Sequence, residues 1–124
     1  MRRGDIYYVH LPNIFKSLNS VERGIRPVVV VSSNIGCATA PIVMIAPLTT
    51  KTKKLSCNVD VGWTCNRNRE HSQVLCNQLM TVPKAELENC DRVGVLTQEE
   101  LDKVDDAILV SLGIITKYKH KGDN

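Results

Sequence analysis

The sequence predicts a mainly β domain closed by one C-terminal helix, and three observations carry that prediction. Short runs of β-branched residues separated by turn material recur over residues 5–96. One strongly capped amphipathic segment follows them at residues 97–112. The chain has 124 residues, the size of one ordinary domain, and its 43% hydrophobic content is enough for a core.

Residues 5–11 (DIYYVHL) read as a first strand rich in β-branched and aromatic side chains. Residues 12–24 are polar and aperiodic, and a connection of that length is usually functional. Residues 27–32 (PVVVVS) form a continuous β-branched run, the pattern of a strand covered on both faces. Residues 34–41 read as turn material. A third strand follows at 42–48, with Pro47 near its end, where an edge or a bulge tolerates a missing N–H. Residues 55–61 alternate, with Leu55, Cys57, Val59 and Val61 on one side and Ser56, Asn58 and Asp60 on the other.

Residues 62–71 are a polar loop, and 72–80 a fifth strand. Residues 83–89 suit a short helix that starts at Pro83, and 93–96 a last short strand. The closing helix is the clearest element. Thr97 and Glu100 make a capping box, Leu101, Val104, Ile108 and Leu112 recur on one face, and Gly113 is a natural stop. Such a helix is the element available to cover the open face of a small twisted sheet.

No stretch approaches the ~18 consecutive apolar residues of a membrane helix, and no apolar run follows Arg2 and Arg3. A cytoplasmic protein with no membrane contact is expected. The five cysteines are odd in number, lack any C-x-x-C and sit largely among apolar neighbours, so buried free thiols are expected. Cys65, His71 and Cys76 match no zinc-ligand spacing, and neither a metal site nor a cofactor is expected. The net charge of +3 says little, but Lys51, Lys53 and Lys54 cluster while acidic residues concentrate after Glu86. That asymmetry suits a polyanion-binding face in the front half.

A series of segments then resembles one family in order. Arg3-Gly4-Asp5-Ile6-Tyr7-Tyr8 is similar to the opening of MazF/PemK toxins, and residues 24–30 (GIRPVVV) to their G-x-R-P-V motif. Residues 45–50 (IAPLTT) resemble their threonine-ended third strand, and residues 74–81 the segment with their central Gln and Thr. Residues 104–108 and 111–113 resemble their last helix. The likeness spans residues 2–114. It implies an SH3-like small antiparallel barrel over residues 1–115, a basic polar tail over 116–124, and a homodimer. It also implies sequence-specific, metal-independent cleavage of single-stranded RNA and a cognate antitoxin that blocks the site.

The resemblance carries catalysis onto Arg26 and Thr49. RNA brings its own nucleophile, the 2′-hydroxyl, so the protein must align it and stabilise charge on the phosphorus oxygens. Arg26 offers a planar donor fork for phosphate, and Pro27 biases it toward extended backbone. Thr49 offers a hydroxyl. Glu22, four residues before Arg26, is the candidate proton acceptor, since arginine is a poor base. His10 and His71 are read as ordinary strand and loop residues. Thr50, Lys51, Lys53, Lys54 and Gln78 are the expected RNA contacts. Tyr7 and Trp63 could stack bases but read better as packing residues. Two other functions fit this fold class: a gyrase-poison toxin, and a catalytically silent binding module.

Overall fold

The computed structural model describes residues 1–10, 25–64 and 71–114. Among the described residues there are seven strands: β1 (Asp5–His10), β2 (Ile25–Val30), β3 (Ile42–Thr49), β4 (Asn58–Val61), β5 (Ser72–Leu75), β6 (Met80–Pro83) and β7 (Arg92–Val95). The same residues include three helices: α1 (Asn34–Thr39), α2 (Lys84–Glu88) and α3 (Gln98–Ser111). The strands run in the order β4-β5-β3-β2-β1-β7, with every pairing antiparallel and β6 added beside β3. The sheet curls into a half-barrel accompanied by the C-terminal helix, the SH3-like form the family resemblance implies.

The curl starts within β3. Its first half pairs with β6 through Ile42, Val43, Met44 and Ile45, and its end pairs with β5 through Leu48 and Thr49. Pro47 falls between the two ladders. The sequence suggested an edge or a bulge there; instead the proline sits in a central strand, where the second neighbour changes.

The run Val28-Val29-Val30 is wholly buried, as a strand covered on both faces should be. Alternate residues feed different cores. Val29 joins Ile6, Ala46, Leu48 and Val74 on the face covered by Leu101, Val104 and Ala107 of α3. Val28 and Val30 join Tyr7, Val9, Val43 and Ile45 on the other face, capped by Cys37 of α1 and Leu87 of α2.

Helix α3 follows its sequence pattern. The Thr97 hydroxyl accepts from the Glu100 N–H at 3.1 Å, and Glu100 Oε1 accepts from the Thr97 N–H at 2.9 Å. The other Glu100 oxygen accepts from the Gly62 N–H at 2.6 Å, so the same side chain holds the end of β4. Gly113 ends the helix at φ +75°, a conformation glycine adopts without steric cost. Leu112 departs from the expected apolar face and is 59% exposed, because it lies past the last covered turn.

The opening Arg3-Gly4-Asp5 is structural. Arg3 pairs with Asp105 of α3 and donates through Nε to the Val31 carbonyl at 3.1 Å. The buried Asp5 accepts from Arg92 Nε of β7 at 2.9 Å and from the Arg2 N–H at 2.8 Å.

Three further sequence expectations need correction. Residues 34–41 are not turn material, since α1 occupies Asn34–Thr39. Its cap is Ser33, whose hydroxyl accepts from the Gly36 N–H at 3.1 Å, a signal short enough to pass for a turn. The strand expected at 55–61 begins at Asn58, because the Asn58 N–H folds back to the Leu55 carbonyl at 3.0 Å and leaves Leu55 exposed. The strand expected at 72–80 is two strands, β5 and β6, separated by a turn in which the Gln78 N–H reaches the Leu75 carbonyl at 3.2 Å. Among the described residues, no helix is long and apolar enough to cross a membrane.

Candidate active site

β2 and β3 pair through Val28 with Pro47, Val29 with Ala46 and Val30 with Ile45. The register extended by two residues sets Arg26 across from Thr49. Beyond β3, Thr49 pairs with Gln73 of β5, and Gln73 pairs with Asp60 of β4. On the other side Arg26 pairs with Val9 of β1. Asp60, Gln73, Thr49, Arg26 and Val9 therefore form one row across five strands. Directly opposed residues in neighbouring strands project from the same face. The two residues assigned to catalysis, 23 positions apart in sequence, thus share a row and a face.

Pro27 explains part of Arg26's placement. It is buried in β2 opposite Tyr8, and it restricts Arg26 to extended backbone where the strand begins. Thr49 is half-buried at the C-terminal end of β3. Its hydroxyl oxygen accepts from the Lys51 N–H at 3.1 Å. A hydroxyl oxygen that accepts in this way keeps its own proton to donate.

Thr50, Lys51, Lys53 and Lys54 follow Thr49 directly and are all exposed. Their segment is tied to the sheet by Gln73. The Lys53 N–H donates to Gln73 Oε1 at 2.8 Å, and Gln73 Nε2 donates to the Lys53 carbonyl at 3.0 Å. Gln73 Oε1 also accepts from Asn58 Nδ2 at 3.2 Å, and Nε2 also donates to Asp60 Oδ1 at 2.8 Å. Asp60 in turn lies 3.8 Å from His71 Nε2. Three lysines thus stand in one exposed segment beside the Arg26–Thr49 row, which gives this end of the sheet a positive rim.

The other expected site residues fall elsewhere. Glu22 lies outside the described residues, as does Cys65 of the rejected zinc grouping. Gln78 is in the turn between β5 and β6 and is not part of the row; its Oε1 is buried with no hydrogen-bond partner among the described residues. His10 is exposed at the end of β1. Tyr7 is buried in the core, and burial, with the nearby Asp5 charge adding to it, pushes its phenol up. Trp63 packs edge-on to Tyr8 and donates to the Val93 carbonyl at 3.1 Å. Its indole also lies over Gly94, where a Cβ would stand 2.5 Å from two ring atoms. Both aromatics are packing residues, as the sequence suggested. Cys76 is fully buried, and burial pushes its thiol up to about 12. Among the described residues, no group of three His, Cys, Asp or Glu side chains converges to hold a metal ion.

Sequence reasoning passed over Gln73 and its partners Asn58 and Asp60. The available signal was a glutamine beside the apolar pair Val74 and Leu75 in a strand; a long amide there must find partners if it is buried.

The family model for the PemK-like, MazF-like toxin of type II toxin–antitoxin systems matches residues 2–112. Endoribonuclease EndoA of Bacillus subtilis is 31% identical over 117 residues, which is 93% of this chain and 97% of that protein. Endoribonuclease MazF of Staphylococcus saprophyticus is 30% identical over 123 residues, 98% of each chain. Among solved structures, a mycobacterial endoribonuclease in complex with its cognate antitoxin superposes with a TM-score of 0.73 at 24% identity, over 92% of this chain and 96% of that one. The MazE–MazF crystal structure (Form-II) from Deinococcus radiodurans gives 0.67 at 14% identity, over 92% and 96%. These two likenesses concern the fold.

Proposed function

This chain belongs to the PemK-like, MazF-like toxins of type II toxin–antitoxin systems, and we propose from that premise how it works as an endoribonuclease. It cleaves single-stranded RNA at particular sequences through attack by the 2′-hydroxyl, without a metal ion. The observation that carries this reading is the row that sets Arg26 across from Thr49 beside three exposed lysines.

In this mechanism Arg26 binds the non-bridging oxygens of the scissile phosphate and stabilises the charge that builds on them. Thr49, its oxygen already engaged by the Lys51 N–H, donates its proton to the phosphate. The 2′-oxygen attacks phosphorus, the bond to the 5′-oxygen breaks, and that oxygen takes up a proton from water. Glu22 accepts the proton lost by the 2′-hydroxyl. Thr50, Lys51, Lys53 and Lys54 hold the strand through its phosphates, and Gln78 contacts RNA near the β5–β6 turn. The upstream product ends in a 2′,3′-cyclic phosphate and the downstream product in a 5′-hydroxyl.

We read residues 1–115 as the toxin domain and 116–124 as a basic tail. The toxin acts in the cytoplasm as a homodimer, and a cognate antitoxin is its second partner, as it is for the mycobacterial relative. The antitoxin competes with RNA for the basic rim. A gyrase poison or a silent binding module would not cut RNA.

The test is incubation of the purified protein with a long transcript in EDTA, followed by analysis of the ends. Cleavage with cyclic phosphate and 5′-hydroxyl ends is expected, and a 2′-deoxy sugar at the cut position should block it. Loss of cleavage in EDTA, or cleavage at the deoxy position, would overturn the mechanism.

A further inference from the structure

We propose that Gln73 is a positioning residue that presents the lysines of residues 51–54 to the RNA backbone. The proposal rests on the reading of those lysines as phosphate contacts.

Gln73 is only 6% exposed, and its amide makes four hydrogen bonds. That is the full capacity of a primary amide, which has two N–H donors and two lone pairs on its oxygen. Two of the four go to the backbone of Lys53, one to its N–H and one to its carbonyl. The side chain thereby pairs with that residue as a neighbouring strand would, although residues 51–54 belong to no strand. The other two go to Asn58 and Asp60 on β4. One side chain therefore ties the lysine segment to two strands at once.

Its place in the row gives this effect a direction. Gln73 lies opposite Thr49, and the segment it holds begins two residues after Thr49 at Lys51, whose N–H is bound to the Thr49 hydroxyl. The segment is thus fixed at two points, Thr49 at its start and Gln73 in its middle. Lysine side chains are long and flexible, so their useful concentration at a phosphate depends on where the backbone holds them. Without the Gln73 amide the segment keeps its charge and loses its position.

Gln73→Met keeps the length and the burial of the side chain and removes all four hydrogen bonds. The measurement is RNA binding and steady-state cleavage over a range of salt concentrations, for the parent, Gln73→Met, and a variant with Lys51, Lys53 and Lys54 all changed to Ala. Each phosphate contact adds about 0.7 to the salt slope on single-stranded RNA. If the proposal holds, Gln73→Met lowers the slope by about 1.4, the equivalent of two contacts. Its cleavage defect then falls on KM, whereas a general collapse of the site would lower kcat as well.

Hydrogen exchange on the unaltered protein covers the case in which Gln73→Met does not fold. There the Lys53 amide should be protected although its residue is exposed. A lysine variant with the parent's slope would overturn the RNA-contact reading itself. A lowered slope in the lysine variant beside an unchanged one in Gln73→Met would overturn the role of Gln73 alone. An unprotected Lys53 amide would overturn it too.

Discussion

Two regions of the sheet are built by different chemistry. Under α3, apolar side chains from strands and helix fill one core: Ile6, Val29, Leu48 and Val74 meet Leu101, Val104 and Ala107. At the row from Asp60 to Arg26, polar side chains share a face and bind one another or the backbone. Apolar burial is non-directional and grows with area, so it sets stability and tolerates exchange of similar shapes. Hydrogen bonds are directional and add little net stability, so they set position. The first region keeps the protein folded; the second holds a few polar groups in fixed positions.

The sharpest way to break this contrast is a truncation in the core. Leu101→Ala should cost about 2–5 kcal/mol of stability, because it leaves a cavity between α3 and the sheet. Denaturant unfolding measures the loss, and the fraction still folded should cut RNA at the parent rate. A Leu101→Ala protein with parental stability, or one that is folded but inactive, would erase the distinction.

Changes in the polar row should reverse the pattern. Arg26→Ala and Thr49→Ala should each lower cleavage about a hundredfold, the effect of losing one preorganised donor worth roughly 3 kcal/mol in the transition state. Their melting temperatures should stay close to the parent's. Parental cleavage rates in both variants would show that the row is structural only.

The smallest expected effect concerns pH. Cys76 is buried under α3 with its thiol pushed up from 9.0 to about 12. A raised pKa in the folded state gives stability that is complete below pH 9 and is lost as pH rises toward 12. The parent should therefore lose stability with alkali more steeply than Cys76→Ala above pH 9. Parallel curves for the two proteins would show that the thiol is not held neutral by burial.

The sequence alone determined the elements whose signals are local. The Thr97–Glu100 capping box and the apolar spacing behind it specified α3, because both lie within a few residues along one chain segment. The run Val28-Val29-Val30 specified a strand with no exposed face, because it leaves no polar position to put in water. The resemblance at Arg26 and Thr49 named a pair, but no spacing in the chain explains why residues 23 apart should act together.

Their placement comes from the tertiary structure. The β2–β3 register, extended two residues beyond Val28 and Pro47, sets the two across from each other, and register depends on the pairing of whole strands. The split of β3 between β6 and β5 likewise placed Pro47 inside the sheet, where a sequence reading expects an edge. Gln73 was invisible for the same reason. Its role consists of bonds to residues 13 to 20 positions away, and a glutamine acquires such partners only when the chain folds around it.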